Sequence, residues 1–327
     1  MNARTLLSQH VAEEALSFFD VGRLLRYSPT TGGIENSNYF VSTTQGEFVL
    51  TLLEREPYAG PEFLNLMLAL DAAGLPVSTP LPDRQGRLEL VVQGKSALLQ
   101  PRLPGGHVRV PTALQLTALG RLVARIHIAA KTISTRMPAY PRDAGWLQST
   151  AASLSGQIRY NAAAALESSV ATLSSILART DAQQLPSGVI HGDIFRDNVL
   201  FRDGQLTGII DFHHAARGTL IYDLAVVAND WCCDGSGQLS LEKTIALLKG
   251  YHDERPLTRQ ELWFFSPFRL YAATSFWLSR LTTFVHAARS QATRTKNPRE
   301  MERIVASLLR GFEYLDERLF DARRPIL

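Results

Sequence analysis

The chain has 327 residues, of which 45% are hydrophobic and 20% are charged, and its formal net charge is +3. A globular chain of this length predicts more than one hydrophobic core, and lysines and arginines scattered without a basic block give no indication of nucleic-acid binding. Two adjacent cysteines cannot make a disulfide scaffold, and no segment reaches the roughly 20 apolar residues that span a bilayer, so we expect a soluble, cytoplasmic protein.

The first hundred residues predict a small lobe built on an antiparallel sheet. Amphipathic periodicity predicts one helix at 8–19 and a second at 61–73, which begins near Pro61 and ends before Gly74. Runs of aromatic and β-branched residues predict five strands, the second and third joined by a hairpin turn: 24–27, 38–42, 47–53, 88–92 and 96–102.

A turn-forming segment at 103–106 separates this lobe from a chain that is mainly helical. A strand-rich region at 188–212 interrupts the helices. The helices themselves are predicted from their apolar periodicity: 112–130, 145–179, 223–233, 241–252, 259–288 and 299–320. We therefore predict an α+β fold with an N-terminal, nucleotide-binding domain at 1–103 and a C-terminal, catalytic and substrate-binding domain at 104–327.

The strand-rich region carries the residues that phosphoryl transfer requires. Such a reaction needs an acceptor for the proton of the attacking hydroxyl and oxygen ligands for the Mg²⁺ ion on the ATP phosphates. Asp193 begins a loop where a carboxylate could accept that proton. Asn198, five residues later, and Asp211, which follows an apolar strand, could supply the oxygen ligands. The alternative for each residue alone is a polar turn between core strands.

The combination resembles the H-x-D-x-x-x-x-N loop and the later metal-binding aspartate of kinases and of their aminoglycoside phosphotransferase relatives. His191-Gly192-Asp193 has the form typical of small-molecule kinases, and no activation loop separates Asp211 from the following helix, which argues against a protein substrate. The resemblance implies that His191 and Asp223 support the catalytic loop. A plain helix N-cap is the alternative for Asp223.

A loop that binds the phosphates of the nucleotide is predicted between the first two strands. Its glycines and small polar residues let backbone N–H groups approach phosphates: Gly32, Gly33, Asn36 and Ser37. An ordinary hairpin turn is the alternative. Kinase-like folds place a lysine on the third strand, but Thr51 stands at that position. Lys95 or Arg55 could replace the charge, or Mg²⁺ and backbone donors could suffice. The resemblance implies that the segment with Gln100 and Arg102 carries the backbone groups that bind the edge of the adenine ring.

A narrower resemblance extends over most of the chain. The similar segments are 33–41, 46–52, 191–201, 222–225, 229–232 and 276–281. They resemble the kinase-like homoserine kinase family, related to aminoglycoside phosphotransferases and choline kinases. The resemblance implies a two-lobed, protein-kinase-like fold, ATP and Mg²⁺ as cofactors, and L-homoserine as the small-molecule substrate. It also implies that Thr51 is compatible with activity.

Homoserine carries an ammonium, a carboxylate and a hydroxyl, so its pocket should offer an acid and a cation. Asp230 is the candidate acid, and Arg196 beside the catalytic loop is a candidate for phosphate or carboxylate. Arg280, in an apolar helix, should be either ion-paired in the core or facing the pocket. We expect it to face the pocket as a candidate substrate residue. His213 and His214 are expected to be structural or to face the substrate rather than to bind zinc, because no further ligand lies at a metal-site spacing.

Two alternative functions remain open from the sequence. A kinase of another small alcohol, such as choline, a sugar or an aminoglycoside, would keep the same catalytic residues. A strongly acidic pocket would favour a polycationic aminoglycoside, whereas the region after Asp211 mixes acids with His213 and Arg217. A nucleotide-binding pseudokinase is the second alternative, and Thr51 is the feature in its favour.

Overall fold

The computed structural model of the chain describes residues 5–30, 36–60, 62–290 and 296–315. It divides into two compact units, residues 1–107 with 197–214, and residues 108–196 with 215–327. The first unit therefore includes a segment that the division at 103/104 placed in the second domain. The physical reason is hydrogen bonding: the N–H of Ile209 bonds to the carbonyl oxygen of Pro76, and Phe201 and Gly106 exchange two backbone bonds.

The first unit contains a five-stranded antiparallel sheet, in which the strands lie in the order first, second, third, fifth and fourth along the chain. A β-hairpin at residues 199–209 completes this unit. Its helices and sheet strands are α1 (Gln9–Leu16), β1 (Leu24–Pro29), β2 (Ser37–Thr43), β3 (Gly46–Leu52), α2 (Glu62–Ala72), β4 (Leu90–Val92) and β5 (Lys95–Pro101), and the hairpin strands are β7 (Val199–Arg202) and β8 (Gln205–Ile209). These elements confirm the predicted antiparallel sheet with its two helices.

Alternation along the strands determines the core of the first unit. Every second residue of a strand points to the same face, and the centre of β2 and the end of β3 carry apolar residues on one shared face. Tyr39, Val41, Leu50 and Leu52 bury that face together with residues of α1. Thr51 lies on the opposite face, across from Asn38 on β2.

The second unit is mainly helical and has a two-stranded antiparallel sheet, β6-β9. Its elements are α3 (Ala113–Ala129), α4 (Ala144–Leu154), α5 (Tyr160–Leu177), α6 (Thr180–Gln183), β6 (Ser187–Ile190), β9 (Ala216–Thr219), α7 (Ile221–Trp231), α8 (Leu241–Glu254), α9 (Arg259–Ser290) and α10 (Pro298–Leu308). Thr112 and Gln115 form a capping box that begins α3. None of the helices in the described ranges is long and apolar enough to cross a lipid bilayer.

Helices α3 and α8 approach each other closely at two glycines. A Cβ atom on Gly120 would collide with the carbonyl oxygen of Leu247, and one on Gly250 would collide with the carbonyl oxygen of Thr117. The Thr117 hydroxyl also donates to the carbonyl oxygen of Ala246, at 3.1 Å. The absence of side chains at both glycines therefore brings the two backbones into contact.

Two helix predictions were wrong in their bounds. The segment 145–179 is not one continuous helix, because Gly156, with φ of +73°, separates α4 from α5. The last helix ends at Leu308 rather than at 320: the N–H groups of Arg310 and Gly311 bond to the carbonyl oxygens three residues earlier, which closes a tight turn. Residues 316–320 lie outside the described residues.

Candidate active site

Asp193 lies in the loop that follows strand β6. Gly192 takes a left-handed conformation, with φ of +78°, so the chain turns sharply just before the aspartate. The N–H of Asp193 donates to Nδ1 of His191 at 3.2 Å, and the N–H of Phe195 donates to the Asp193 carbonyl oxygen at 2.8 Å. These bonds fix the backbone on both sides of the half-buried Asp193, the residue predicted to act as the general base.

The fully buried carboxylate of Asp223 holds this loop from helix α7. Its two oxygens accept the N–H groups of His191 and Gly192, each at 2.8 Å. The supporting contacts that the resemblance implied for Asp223 are therefore present. Because a carboxylate accepts stronger hydrogen bonds than a neutral group, these contacts restrict the backbone immediately before Asp193.

His127 on α3 is a third partner of Asp223 that the sequence analysis missed. Its Nε2 lies 3.0 Å from Asp223 Oδ2, and its Nδ1 lies 2.7 Å from the hydroxyl oxygen of Tyr251 on α8. Burial raises the pKa of Tyr251, which keeps the phenol neutral. The signal was present in the sequence, since His127 interrupts the apolar face of a predicted helix.

Asn198 and Asp211, the predicted metal ligands, lie at the same end of the β7-β8 hairpin. Val199 pairs with Ile209, and the N–H of Ile210 donates to the Asn198 carbonyl oxygen at 2.9 Å. Asp211 follows directly, with φ of +67°, a conformation that aspartate tolerates better than most residues. An amide oxygen and a carboxylate fit the oxygen preference of Mg²⁺, with the remaining ligands left to substrate phosphates and water.

His213, a predicted substrate residue, contacts Asp211, the predicted metal ligand two residues earlier. Its Nδ1 lies 2.5 Å from Asp211 Oδ1, and its ring stacks on Phe63 of α2 with centroids 5.1 Å apart. The ring of His214 packs on Tyr58 at 4.8 Å. Across the described part of the chain, no group of three or more His, Cys, Asp and Glu side chains is arranged to hold a metal.

The predicted phosphate loop is only partly described. Gly32 and Gly33 lie outside the described residues. Asn36 and Ser37 are buried, and both bind Glu54: Asn36 Oδ1 accepts the Glu54 N–H at 3.2 Å, and Ser37 Oγ donates to Glu54 Oε1 at 2.5 Å. Their side chains thus hold the chain after β3. The predicted contact of backbone N–H groups with phosphates stays a prediction.

Lys95 does not lie where a replacement for the missing third-strand lysine would have to be. Thr51 pairs with Leu98, and Leu52 pairs with Ala97. Because alternate residues of a strand share a face, Lys95 lies with Ala97 on the face opposite to Thr51. The Lys95 ammonium is ion-paired with the buried carboxylate of Glu54. Arg55, the other candidate, is exposed.

Glu54 is the centre of a polar cluster that it forms with Thr5, Ser37 and Lys95, called the Glu54 cluster below. Burial opposes ionisation of its carboxyl, but hydrogen bonds from Lys95, Ser37 and Thr5 outweigh burial and lower the pKa to about 2, from an ordinary value of 4.5. Ionised Glu54 therefore stabilises the folded state fully at pH values above 4.5. That contribution is lost as the pH falls through 4.5 toward the folded value of about 2.

Replacing Glu54 by Gln should lower the free energy of unfolding at pH 7 by up to about 3 kcal/mol. The loss should be smaller at pH 4, because protonation of unfolded Glu54 already weakens the wild-type contribution there. Urea unfolding at both pH values measures the effect, with the exposed Glu56→Gln as the matched control. Equal losses in the two variants would contradict a specific role for the Glu54 cluster.

Arg102 and Gln100 are predicted to lie near the adenine, and the side chains of both contact other residues of the first unit. Gln100 Nε2 donates to the carbonyl oxygen of Ser78. The guanidinium of Arg102 lies 4.0 Å from the centre of the Phe40 ring and 3.4 Å from Glu47 Oε2. Arg102 lines a cavity of about 170 Å³ on the sheet, together with Arg26, Ser28, Phe40, Ser42 and Glu47.

Asp230 and Arg196, both predicted to bind the substrate, bind each other. Asp230 accepts the Arg196 backbone N–H at 2.7 Å, Nε at 3.1 Å and Nη2 at 3.2 Å. Arg196 Nη1 donates to the carbonyl oxygen of Arg109. The bidentate pair neutralises both charges and anchors the end of the catalytic loop to α7.

Arg280 is buried in α9 and ion-paired, which is one of the two outcomes that the sequence left open. Its Nη1 donates to Glu300 Oε2 at 2.8 Å. The guanidinium carbon also lies 5.5 Å from the centre of the Phe195 ring in the catalytic loop.

Solved structures with the same fold are phosphotransferases of small molecules. An amicoumacin kinase in complex with AMP-PNP and Ca²⁺ aligns with a TM-score of 0.69 over 92% of this chain and 93% of its own, at 16% identity. A spectinomycin phosphotransferase with ADP and spectinomycin aligns with a TM-score of 0.66 over 93% and 95%, at 15% identity. The fold is therefore that of the protein-kinase-like phosphotransferases, as the sequence analysis predicted.

The sequence profile of the phosphotransferase enzyme family matches residues 26–257. This chain belongs to that family. Curated relatives include the homoserine kinase of Pseudomonas aeruginosa, 38% identical over 92% of this chain and 95% of the relative, and that of Neisseria meningitidis, 35% identical over 94% and 100%. A homoserine kinase of Polaromonas naphthalenivorans is 36% identical over 93% and 97%.

Proposed function

We propose that this protein is a small-molecule kinase that transfers the γ-phosphoryl group of ATP to the hydroxyl of L-homoserine. The products are ADP and O-phospho-L-homoserine, an intermediate of threonine synthesis. The observation that carries the proposal is the 38% identity with a homoserine kinase over 92% of this chain. Asp193, in a loop anchored by Asp223, supports the same reaction from the geometry of the site.

In this mechanism Asp193 orients the substrate hydroxyl and accepts its proton as the oxygen attacks the γ-phosphorus. Asp223 keeps the backbone before Asp193 in place, so the carboxylate is positioned before substrate arrives. Asn198 and Asp211 would hold Mg²⁺, which would neutralise charge on the ATP phosphates. A chain without the third-strand lysine depends on this neutralisation and on backbone donors, so Thr51 is compatible with catalysis.

The experiment that tests the proposal is ADP release with ATP and Mg²⁺ across a panel of acceptors: L-homoserine, L-serine, L-threonine, choline and kanamycin. We expect turnover confined largely to L-homoserine and abolished by EDTA, because the metal ligands are few and the metal is exchangeable. Turnover of choline or kanamycin in preference to L-homoserine would assign the protein to another small alcohol. Binding of ATP without turnover of any acceptor would favour a pseudokinase.

The cytoplasmic location of the protein stays a prediction.

A further inference from the structure

The imidazole of His213 is directed at the carboxylate of Asp211, the predicted metal ligand. Its Nδ1 lies 2.5 Å from Asp211 Oδ1. The other ring nitrogen, Nε2, is buried and has no hydrogen-bond partner among residues 5–30, 36–60, 62–290 and 296–315. A proton on Nε2 would lack an acceptor there, so these surroundings favour the tautomer that carries its proton on Nδ1. In this tautomer, His213 donates a hydrogen bond to Asp211.

The position of the His213 ring is fixed by contacts other than the one with Asp211. The ring stacks on the buried ring of Phe63 from α2, with centroids 5.1 Å apart and an angle of 20° between the planes. The His213 carbonyl oxygen accepts the N–H of Tyr58 at 2.9 Å, which holds the backbone of the same residue. Packing and hydrogen bonding together restrict the rotamer of a side chain, so the direction of the Nδ1–H group is set before any ligand binds.

The Asp211 carboxylate, unlike its histidine partner, is accessible to a ligand from solvent. The side chain of Asp211 is 35% exposed, whereas that of His213 is 13% exposed. Asp211 follows β8 directly, and the N–H of Ile210 bonds to the Asn198 carbonyl oxygen, so both predicted metal ligands lie at one end of the hairpin. An ion that enters this end of the hairpin would meet a carboxylate that a fixed donor already holds.

We infer that His213 is a positioning residue of the metal site, whose Nδ1–H group fixes the orientation in which the Asp211 carboxylate meets a divalent cation. This inference rests on the part of the proposed function that requires ATP and such a cation. Hydrogen-bond partners of metal-binding side chains orient them, and loss of such a partner typically weakens metal binding by about 10- to 100-fold. His213 is unsuited to bind Mg²⁺ itself, because this ion prefers oxygen and Nδ1 is directed at Asp211.

Two substitutions of His213 separate this role from simple packing. His213→Phe keeps a ring to stack on Phe63 but removes the donor, whereas His213→Asn removes the ring but keeps an amide N–H group near the place of Nδ1. We expect the Kd for Mn²⁺, a paramagnetic probe in place of Mg²⁺, to rise about 10- to 100-fold in His213→Phe and to stay close to the wild-type value in His213→Asn. Electron paramagnetic resonance of free Mn²⁺, with saturating AMP-PNP, measures both. An unchanged Kd in His213→Phe, or equal losses in the two variants, would overturn the inference.

The affinity for AMP-PNP in the presence of EDTA is the control measurement, and it should be the same in both variants and the wild type, because no metal contributes to it. If His213→Phe does not melt cooperatively, His213→Leu replaces it, since leucine also lacks the donor and fills the site with apolar atoms. A wild type that binds no Mn²⁺ would overturn the metal assignment of Asp211 and this inference with it. A wild type that binds Mn²⁺ and AMP-PNP but does not phosphorylate L-homoserine would overturn the proposed substrate alone, so the two failures are distinguishable.

Discussion

Replacing Asp193 by Asn should reduce kcat for L-homoserine by about 10²- to 10⁴-fold, the range that a positioned general base contributes. The amide has nearly the same shape as the carboxylate but does not accept the hydroxyl proton. Two hydrogen bonds that hold the loop at Asp193, through its N–H and its carbonyl oxygen, do not involve the carboxyl group and should persist in the variant. ATP-dependent ADP release measures the loss, and ATP-induced stabilisation in thermal melting should stay close to that of the wild type.

Asp197→Asn provides the control for this experiment. Asp197 is an exposed acid four residues later in the chain, so its replacement makes the same chemical change without touching the base. We expect a small effect on kcat. A wild-type kcat in Asp193→Asn would show that Asp193 is not the base, and a comparable loss in Asp197→Asn would assign the effect to the general charge of the segment.

Replacing Asp223 by Ala should cost about 3 to 5 kcal/mol in the free energy of unfolding, because it leaves buried donors without their charged acceptor. The donors are the N–H groups of His191 and Gly192 and the ring of His127. In the fraction that remains folded, kcat should fall about 10²-fold, as expected for a catalytic group displaced by about 1 Å. Urea unfolding and ADP release below the unfolding transition measure the two effects separately.

Asp253→Ala, on the exposed side of α8, is the control for the loss of an acid that is ion-paired on the surface. Its stability should change little, because surface ion pairs contribute little to the free energy of unfolding. His127→Gln should resemble Asp223→Ala in direction but with a smaller loss, since the backbone bonds remain. A stable Asp223→Ala variant with unchanged kcat would exclude Asp223 as the anchor of the loop.

The fold was largely predictable from local patterns. Period-two alternation located the strands of the first unit, and 3.6-residue periodicity located α3, α7, α8 and α9. The errors came from conformations that periodicity does not encode, such as the break at Gly156 and the tight turn that ends the chain's last described helix at Leu308. The assignment of 197–214 to the first unit depends on hydrogen bonds between distant segments, which no local window contains.

Site residues could be predicted from the sequence where they form a motif of fixed spacing within one segment. Contacts between side chains from distant segments were harder to predict. Asp193, Asn198 and Asp211 could be recognised from their spacing, and their roles stay predictions. The partners of charged groups could not be read from the chain: Lys95 with Glu54, for example, are 41 residues apart. The same limitation hid His127, whose acidic partner Asp223 lies 96 residues later.

The close approach of α3 and α8 at Gly120 and at Gly250 has a consequence for the evolution of this enzyme. These glycines let α3 and α8 approach, and the same helices carry His127 and Tyr251, which meet behind the catalytic loop. Any added side chain at either glycine would push the two helices apart and separate that pair. In a library of random variants, both positions should therefore accept almost no replacement, although neither touches substrate. Selection for activity thus extends to a helix crossing that is formed by close backbone contacts.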